Sequence, residues 1–249
     1  MYFTFDKINI NYQHFGQGEP ILFLHGWGTN GTHFLDIGEK LSQKYSVYLL
    51  DLPGFGNSEE PHNAYTLDNY VTVVEKFIKE LNIKDPIIIG HSFGGRIGIR
   101  YSTKFDVKKL ILIDSAGIKR QTLKTKIKIY KYKLKKKIFI KTRAINKLEK
   151  LIETSGSSDY LSATPIMKKT LSNVVGVNQK HELKKIKCET LLLWGKLDTI
   201  TPYKDALLIK KRIKNSGLVA FDDSQHFPYL EEPTKFKKVL LNYLKVSEE

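Results

Sequence analysis

The chain has 249 residues, 41% of them hydrophobic and 27% charged, enough apolar material for a substantial core and too much for a disordered chain. Its net charge of +15 points toward nucleic acid until the charge is located: residues 118–151 hold fourteen Lys and Arg against one acid, Glu149, and the remainder is nearly balanced at 27 basic to 25 acidic residues. The pattern is a near-neutral body with a basic insert, and nucleic acid is not expected as a partner. The opening MYFTFDKINI lacks the basic start and apolar core of a secretory signal, and no window approaches about 18 uninterrupted apolar residues, so a cytoplasmic location is expected. The single cysteine, Cys188, permits no internal disulfide and reads as core filler.

In chain order, FTFDKININ and QHFG read as an antiparallel edge hairpin. PILFLHG, SVYLLDLPGFG, PIIIGHS, KKLILIDSAG, ETLLLWGKLD and GLVAFDD read as strands, and helical periodicity covers Thr32 to Gln43, Leu67 to Leu81, Gly94 to Thr103, Lys204 to Ile213 and Pro233 to Leu244. Continuous apolar strands alternating with helices predict an α/β fold, a mostly parallel sheet covered on both faces. No internal repeat or low-complexity linker interrupts it. The expected organisation is one core domain, 1–116 and 187–249, with a basic, mainly helical cap inserted at 117–186. Within that insert Leu123, Ile127, Tyr130, Leu134 and Ile138 recur at helical spacing, which predicts a basic amphipathic helix whose apolar face either roofs the site or lies on a bilayer. KIKIYKYKL also alternates at period two, but Tyr130 breaks that pattern and favours helix.

The chemistry concentrates at Gly90-His91-Ser92-Phe93-Gly94, where a strand must turn abruptly into a helix. Such a corner holds its central residue in a strained conformation, glycines two before and two after remove the collision of side chains, and the serine is left above the sheet edge beside a helix N-terminus. GHSFGG resembles the nucleophile elbow of the α/β-hydrolase superfamily, LHGWG its oxyanion loop, DLPGFGNS the loop after the following strand, LWGKLDTITP its acid loop and SQHFPYLEEP its histidine loop. The five motifs fall in the family's order across nearly the whole chain.

That resemblance implies a serine hydrolase fold and assigns roles. Ser92 would be the nucleophile, His226 the base that takes its proton and returns it to the leaving group, and Asp198 the carboxylate that orients the imidazole. Backbone N–H groups of Trp27 and Phe93 would form the oxyanion hole. Asp114, which ends LILID, is the rival acid, because some relatives place theirs after that strand. By the same resemblance His25 is expected to be a structural loop residue and His91 a variable position, neither acting in catalysis; His14, His33, His62 and His181 are expected to be loop or surface residues, and Asp51 to brace neighbouring loops. Asp222 and Asp223 are expected to orient the histidine loop. Gln225 stands where relatives commonly carry glycine.

A serine at the elbow excludes, by the same resemblance, the dehalogenase and epoxide hydrolase branches, which use aspartate. Ester, thioester, amide and activated carbon–carbon bonds remain, with a small carboxylic ester as the leading substrate. HGWGTN also resembles methyl-ester esterases that act on acyl chains borne by an acyl carrier protein, and the basic cap would suit such an acidic partner or an anionic membrane. A ligand receptor built on a hydrolase body is the non-enzymatic alternative. The histidines lack metal-ligand spacing and no organic cofactor is implied, so the expectation is none of either.

Overall fold

The computed structural model describes residues 1–119, 123–155 and 158–247. An eight-stranded sheet is assembled from β1 (Tyr2–Phe5), β2 (Ile8–Phe15), β3 (Glu19–Leu24), β4 (Tyr45–Leu50), β5 (Ile87–His91), β6 (Lys109–Ile113), β7 (Glu189–Gly195) and β8 (Ser216–Phe221). Their spatial order is β1-β2-β4-β3-β5-β6-β7-β8; β2 runs against both of its neighbours and every other pairing is parallel. The edge hairpin and the mostly parallel sheet are as the sequence predicts.

The parallel strands read as unbroken apolar runs because both faces are covered. Leu22, Leu24, Ile88, Leu110, Leu112, Leu192 and Trp194 point to one face, under helices α2 (Leu67–Glu80), α3 (Phe93–Ser102) and α8 (Tyr203–Arg212). Their alternates Ile21, Phe23, Ile87, Ile89, Ile111, Ile113 and Leu193 point to the other, under α1 (Leu35–Leu41) and α10 (Pro233–Leu244). Helix α2 starts at a reciprocal cap: Thr66 Oγ1 accepts from the Asn69 N–H, and the Asn69 side chain accepts from the Thr66 N–H, an arrangement contributing about 1 kcal/mol. A short helix, α9 (Pro228–Glu231), follows the last strand and precedes α10.

Between β6 and β7 the described residues form α4 (Leu123–Lys141), α5 (Ile145–Ser155), α6 (Ser158–Ser162) and α7 (Pro165–Val175). Helix α7 is tied firmly to the body. Buried Arg96 on α3 donates through Nη1 to the carbonyls of Val174 and Val177, at 2.9 and 2.5 Å, Thr170 Oγ1 accepts from the Tyr65 N–H at 2.9 Å, and Asn173 Nδ2 donates to the Tyr65 carbonyl at 3.1 Å.

Helix α4 is a helix, as predicted. Of the two places expected for its apolar row, over the site or on a bilayer, the first is not found: Ile127, Tyr130, Leu134 and Ile138 are 54, 68, 45 and 47% exposed. Leu123, which heads that row, lies outside the described side chains. At 100° per residue a second apolar stripe, carrying Tyr132 and Phe139, lies nearly opposite the first, and these two are half-buried. Two stripes separated by lysine rows give periodicity no way to choose between them. Helix α5 is the chief neighbour of α4 among the described residues.

Candidate active site

Ser92 caps α3 with φ 48° and ψ −106°, a region that costs a non-glycine residue roughly 1–3 kcal/mol. The surroundings over-determine it. The Ser92 N–H donates to the Ile113 carbonyl at 3.0 Å, and its own carbonyl accepts from Ala116 and Arg96 at 2.9 and 3.1 Å. The flanking glycines are obligatory for packing: a Cβ on Gly90 would stand 2.6 Å from the Gly94 carbonyl oxygen, and one on Gly94 would stand 1.9 Å from that of Leu24.

Three loops at the carboxyl edge of the sheet meet at this corner. His226 follows β8, and its Nε2 lies 3.0 Å from Ser92 Oγ. Its Nδ1 lies 2.7 Å from Asp198 Oδ2, on the loop after β7. Asp198 is held on both oxygens: Oδ1 accepts from the N–H groups of Ile200 and Thr201 at 2.7 and 2.9 Å, and Oδ2 accepts from Thr201 Oγ1 at 2.6 Å. Burial works against its charge, but the hydrogen bonds from His226 and Thr201 outweigh burial and hold its pKa at about 2. A permanent carboxylate beside Nδ1 fixes the imidazole tautomer that leaves Nε2 facing the serine.

The rival carboxyl is next door but differently used. Asp114, at φ 39°, is fully buried; Oδ1 accepts from the Gly195 N–H at 3.0 Å and Oδ2 has no hydrogen-bond partner among the described residues. Burial, followed by the neighbouring Asp198, pushes its pKa up to about 10, so it stands neutral at pH 7. Donor atoms of Asp114, Asp198 and His226 fall within 4.8 Å of one another. Asp198 and His226 already spend those atoms on each other, which suits a proton relay better than a cation site.

Phe93 opens α3, so its N–H is among those a helix leaves without an intrahelical acceptor. The Trp27 ring meets Phe93 and Phe55 edge-on, with centroids 5.4 and 4.8 Å away, and a Cβ on adjacent Gly26 would stand 3.6 Å from Ser92 Cβ. The predicted oxyanion loop therefore runs alongside the serine. A cleft of about 280 Å³ opens beside it, between Trp27, Phe55 and Gly54 of the body and Ala163, Thr164 and Met167 of the inter-strand segment.

His25, expected to be structural, is a brace, and so is His91, expected only to be a variable position. His25 Nε2 accepts from the Leu52 N–H at 2.9 Å, which leaves Nδ1–H to donate to the Gly26 carbonyl at 2.7 Å; burial lowers its pKa to about 4. His91 Nε2 donates to the His226 carbonyl at 2.8 Å, and burial, with His226 nearby, lowers its pKa to about 3. Asp51 accepts from Gly31, Asn57 and Asn11, tying its own loop to strand β2 and to the segment that precedes α1. Asp222 is exposed and pairs with Lys196, away from the triad. Gln225 takes no positive φ, so its place does not require glycine, and its N–H donates to Glu231.

Sequence reasoning missed Thr201, whose hydroxyl donates to Asp198 and stands 3.4 Å from His226 Nδ1. The available signal was Asp198-x-x-Thr201, an acid followed three residues later by a hydroxyl in a turn. It also missed the His91 contact with the His226 backbone, which joins residues 135 positions apart.

A strained serine at the first turn of a helix, a histidine and an acid on successive later loops, and a parallel sheet beneath define a hydrolase scaffold. A family model for the alpha/beta hydrolase fold matches residues 19–128 and 124–233, and the chain belongs to that family. It is 28% identical over 267 residues to the AB hydrolase superfamily protein YisY of Bacillus subtilis, covering 96% of this chain and 97% of that protein. It is 29% identical over 235 residues to Lipase 1 of Psychrobacter immobilis, covering 86% of this chain and 73% of the lipase. Among solved structures, the esterase EaEST from Exiguobacterium antarcticum superposes with a TM-score of 0.78 at 24% identity, over 96% of this chain and 97% of the esterase.

Proposed function

We propose that the protein hydrolyses carboxylic esters through an acyl-enzyme on Ser92, with His226 as base and acid and Asp198 as the orienting carboxylate. The observation that carries this reading is the continuous chain Ser92 Oγ to His226 Nε2, 3.0 Å, and His226 Nδ1 to Asp198 Oδ2, 2.7 Å. In the first half-reaction Ser92 Oγ attacks the ester carbonyl and its proton passes to Nε2. The negative charge that grows on the carbonyl oxygen is met by the N–H groups of Phe93 and Trp27, each such donor being worth roughly 3–4 kcal/mol of barrier. The imidazolium, stabilised by Asp198, gives the proton to the departing alkoxide as the C–O bond breaks. In the second half-reaction water attacks the acyl-enzyme, Nε2 takes its proton, and collapse returns the proton to Ser92 Oγ and releases the acid.

On this reading residues 117–186 are the cap of a core formed by 1–116 and 187–249, and the cleft between Trp27 and Met167 receives part of the substrate. A lipase among the relatives supports the choice of an ester over a thioester, amide or carbon–carbon bond. A panel of p-nitrophenyl esters of increasing acyl length tests it. Turnover of short esters that vanishes in Ser92→Ala supports the proposal, and wild-type protein inert toward the whole panel contradicts it.

A further inference from the structure

We propose that α4 is an interfacial helix that docks the protein on an anionic lipid surface. Its exposed stripe, Ile127, Tyr130, Leu134 and Ile138, runs straight along three helical turns with no described residue of the body over it. An unburied apolar stripe of this length calls for an occupant.

The charges around the stripe name the occupant. At 100° per residue Lys131 and Lys135 fall along one edge and Lys133 and Lys137 along the other, all four exposed. Helix α4 carries nine lysines and no acid, whereas the chain outside 118–151 is close to neutral. A flat anionic surface is met by both lysine rows at once: the apolar stripe sinks toward the acyl boundary while the lysine stems spread sideways to phosphate. A second copy of the chain would bring lysine rows against lysine rows and be repelled. No helix among the described residues is long and apolar enough to cross a membrane, so α4 would lie in the plane of the surface, along roughly 28 Å of its length. Because α7 is anchored to Tyr65 and Arg96, docking through α4 would leave the cleft beside Trp27 attached to the body.

The test is sedimentation of full-length protein with phosphatidylcholine vesicles, with and without phosphatidylglycerol. Wild type should bind the anionic vesicles and be released as salt rises, since the attraction fades within a Debye length of about 8 Å at physiological ionic strength. Changing Lys131, Lys135 and Lys137 together to Gln should weaken partitioning about a hundredfold, and Leu134→Ser with Ile138→Ser should weaken it about tenfold or more. Hydrolysis of a short soluble ester should be the same in both variants, and Ser92→Ala should bind vesicles as wild type does, which separates failure of docking from failure of the ester reading. Binding indifferent to phosphatidylglycerol, or unaffected by both variants, overturns the proposal. Self-association through this face, or capture only by an acidic carrier protein, overturns it as well.

Discussion

Asp114 and Asp198 place two buried carboxyl groups together behind His226, and the structure keeps only one of them charged. Asp198 is wrapped by donors on both oxygens, whereas Asp114 has one backbone N–H on one oxygen and no hydrogen-bond partner among the described residues on the other. Environment, not residue type, thus divides the two roles. Asp198→Asn should lower kcat by about three to four orders of magnitude, because an amide in that place stabilises the wrong imidazole tautomer and no imidazolium. Asp114→Asn should keep kcat within about tenfold, since the amide oxygen still accepts from Gly195. Steady-state kinetics of the two variants decide between them, and the reverse ranking would move the acid to Asp114.

The pH dependence of stability follows from three buried groups with opposite signs. Asp114 is protonated in the folded state up to about pH 10, while the unfolded chain releases that proton near 3.8, so its contribution is lost as pH rises between those values. His25 and His91 stay neutral when folded down to about 4 and 3, while the unfolded chain takes up their protons near 6.5, so acidification below 6.5 is destabilising. Two histidine protons outweigh one carboxyl proton in the acidic window. For these groups stability should peak near pH 6.5, and Asp114→Asn should flatten the alkaline limb and raise Tm more at pH 8 than at pH 5. A variant whose Tm falls in parallel with wild type across that range would show that Asp114 is ionised in the fold.

Thr201 should act through Asp198. Thr201→Val removes the 2.6 Å donor to Oδ2, which raises the depressed Asp198 pKa and loosens the carboxylate. A depressed carboxyl contributes stability above its unfolded pKa that is lost as pH falls through the folded value, so the acid-unfolding midpoint should move upward in the variant. The expected loss in kcat is about tenfold, with KM little changed. Thr201→Ser should restore both. Unchanged kinetics in the valine variant would reduce Thr201 to a loop residue.

His91→Leu should cost about 1–3 kcal/mol, because the carbonyl of His226 loses its buried donor. Release of that backbone should also lower kcat, as the same loop carries the imidazole. Chemical denaturation and kinetics on one preparation test both effects.

The sheet was readable because strands buried on both faces carry unbroken apolar runs, and the corner at Ser92 because only glycine fits at 90 and 94. Pairings across long sequence distance were not readable. Thr201 with His226, and His91 with the His226 carbonyl, depend on loops whose approach no local pattern encodes. The charge state of Asp114 was hidden for a different reason, since it depends on desolvation and a neighbour contributed by another strand. On α4 periodicity identified the helix but not its buried side, because Tyr132 and Phe139 form a second stripe among the lysines.

The central claim is that Ser92 is a nucleophile activated by His226. Its most direct test is intact-mass and peptide mapping after reaction with a fluorophosphonate. One adduct on the peptide bearing Ser92, absent from Ser92→Ala and strongly slowed in His226→Ala, is the predicted result. An adduct that persists in Ser92→Ala, or wild-type protein that takes up none, would contradict it.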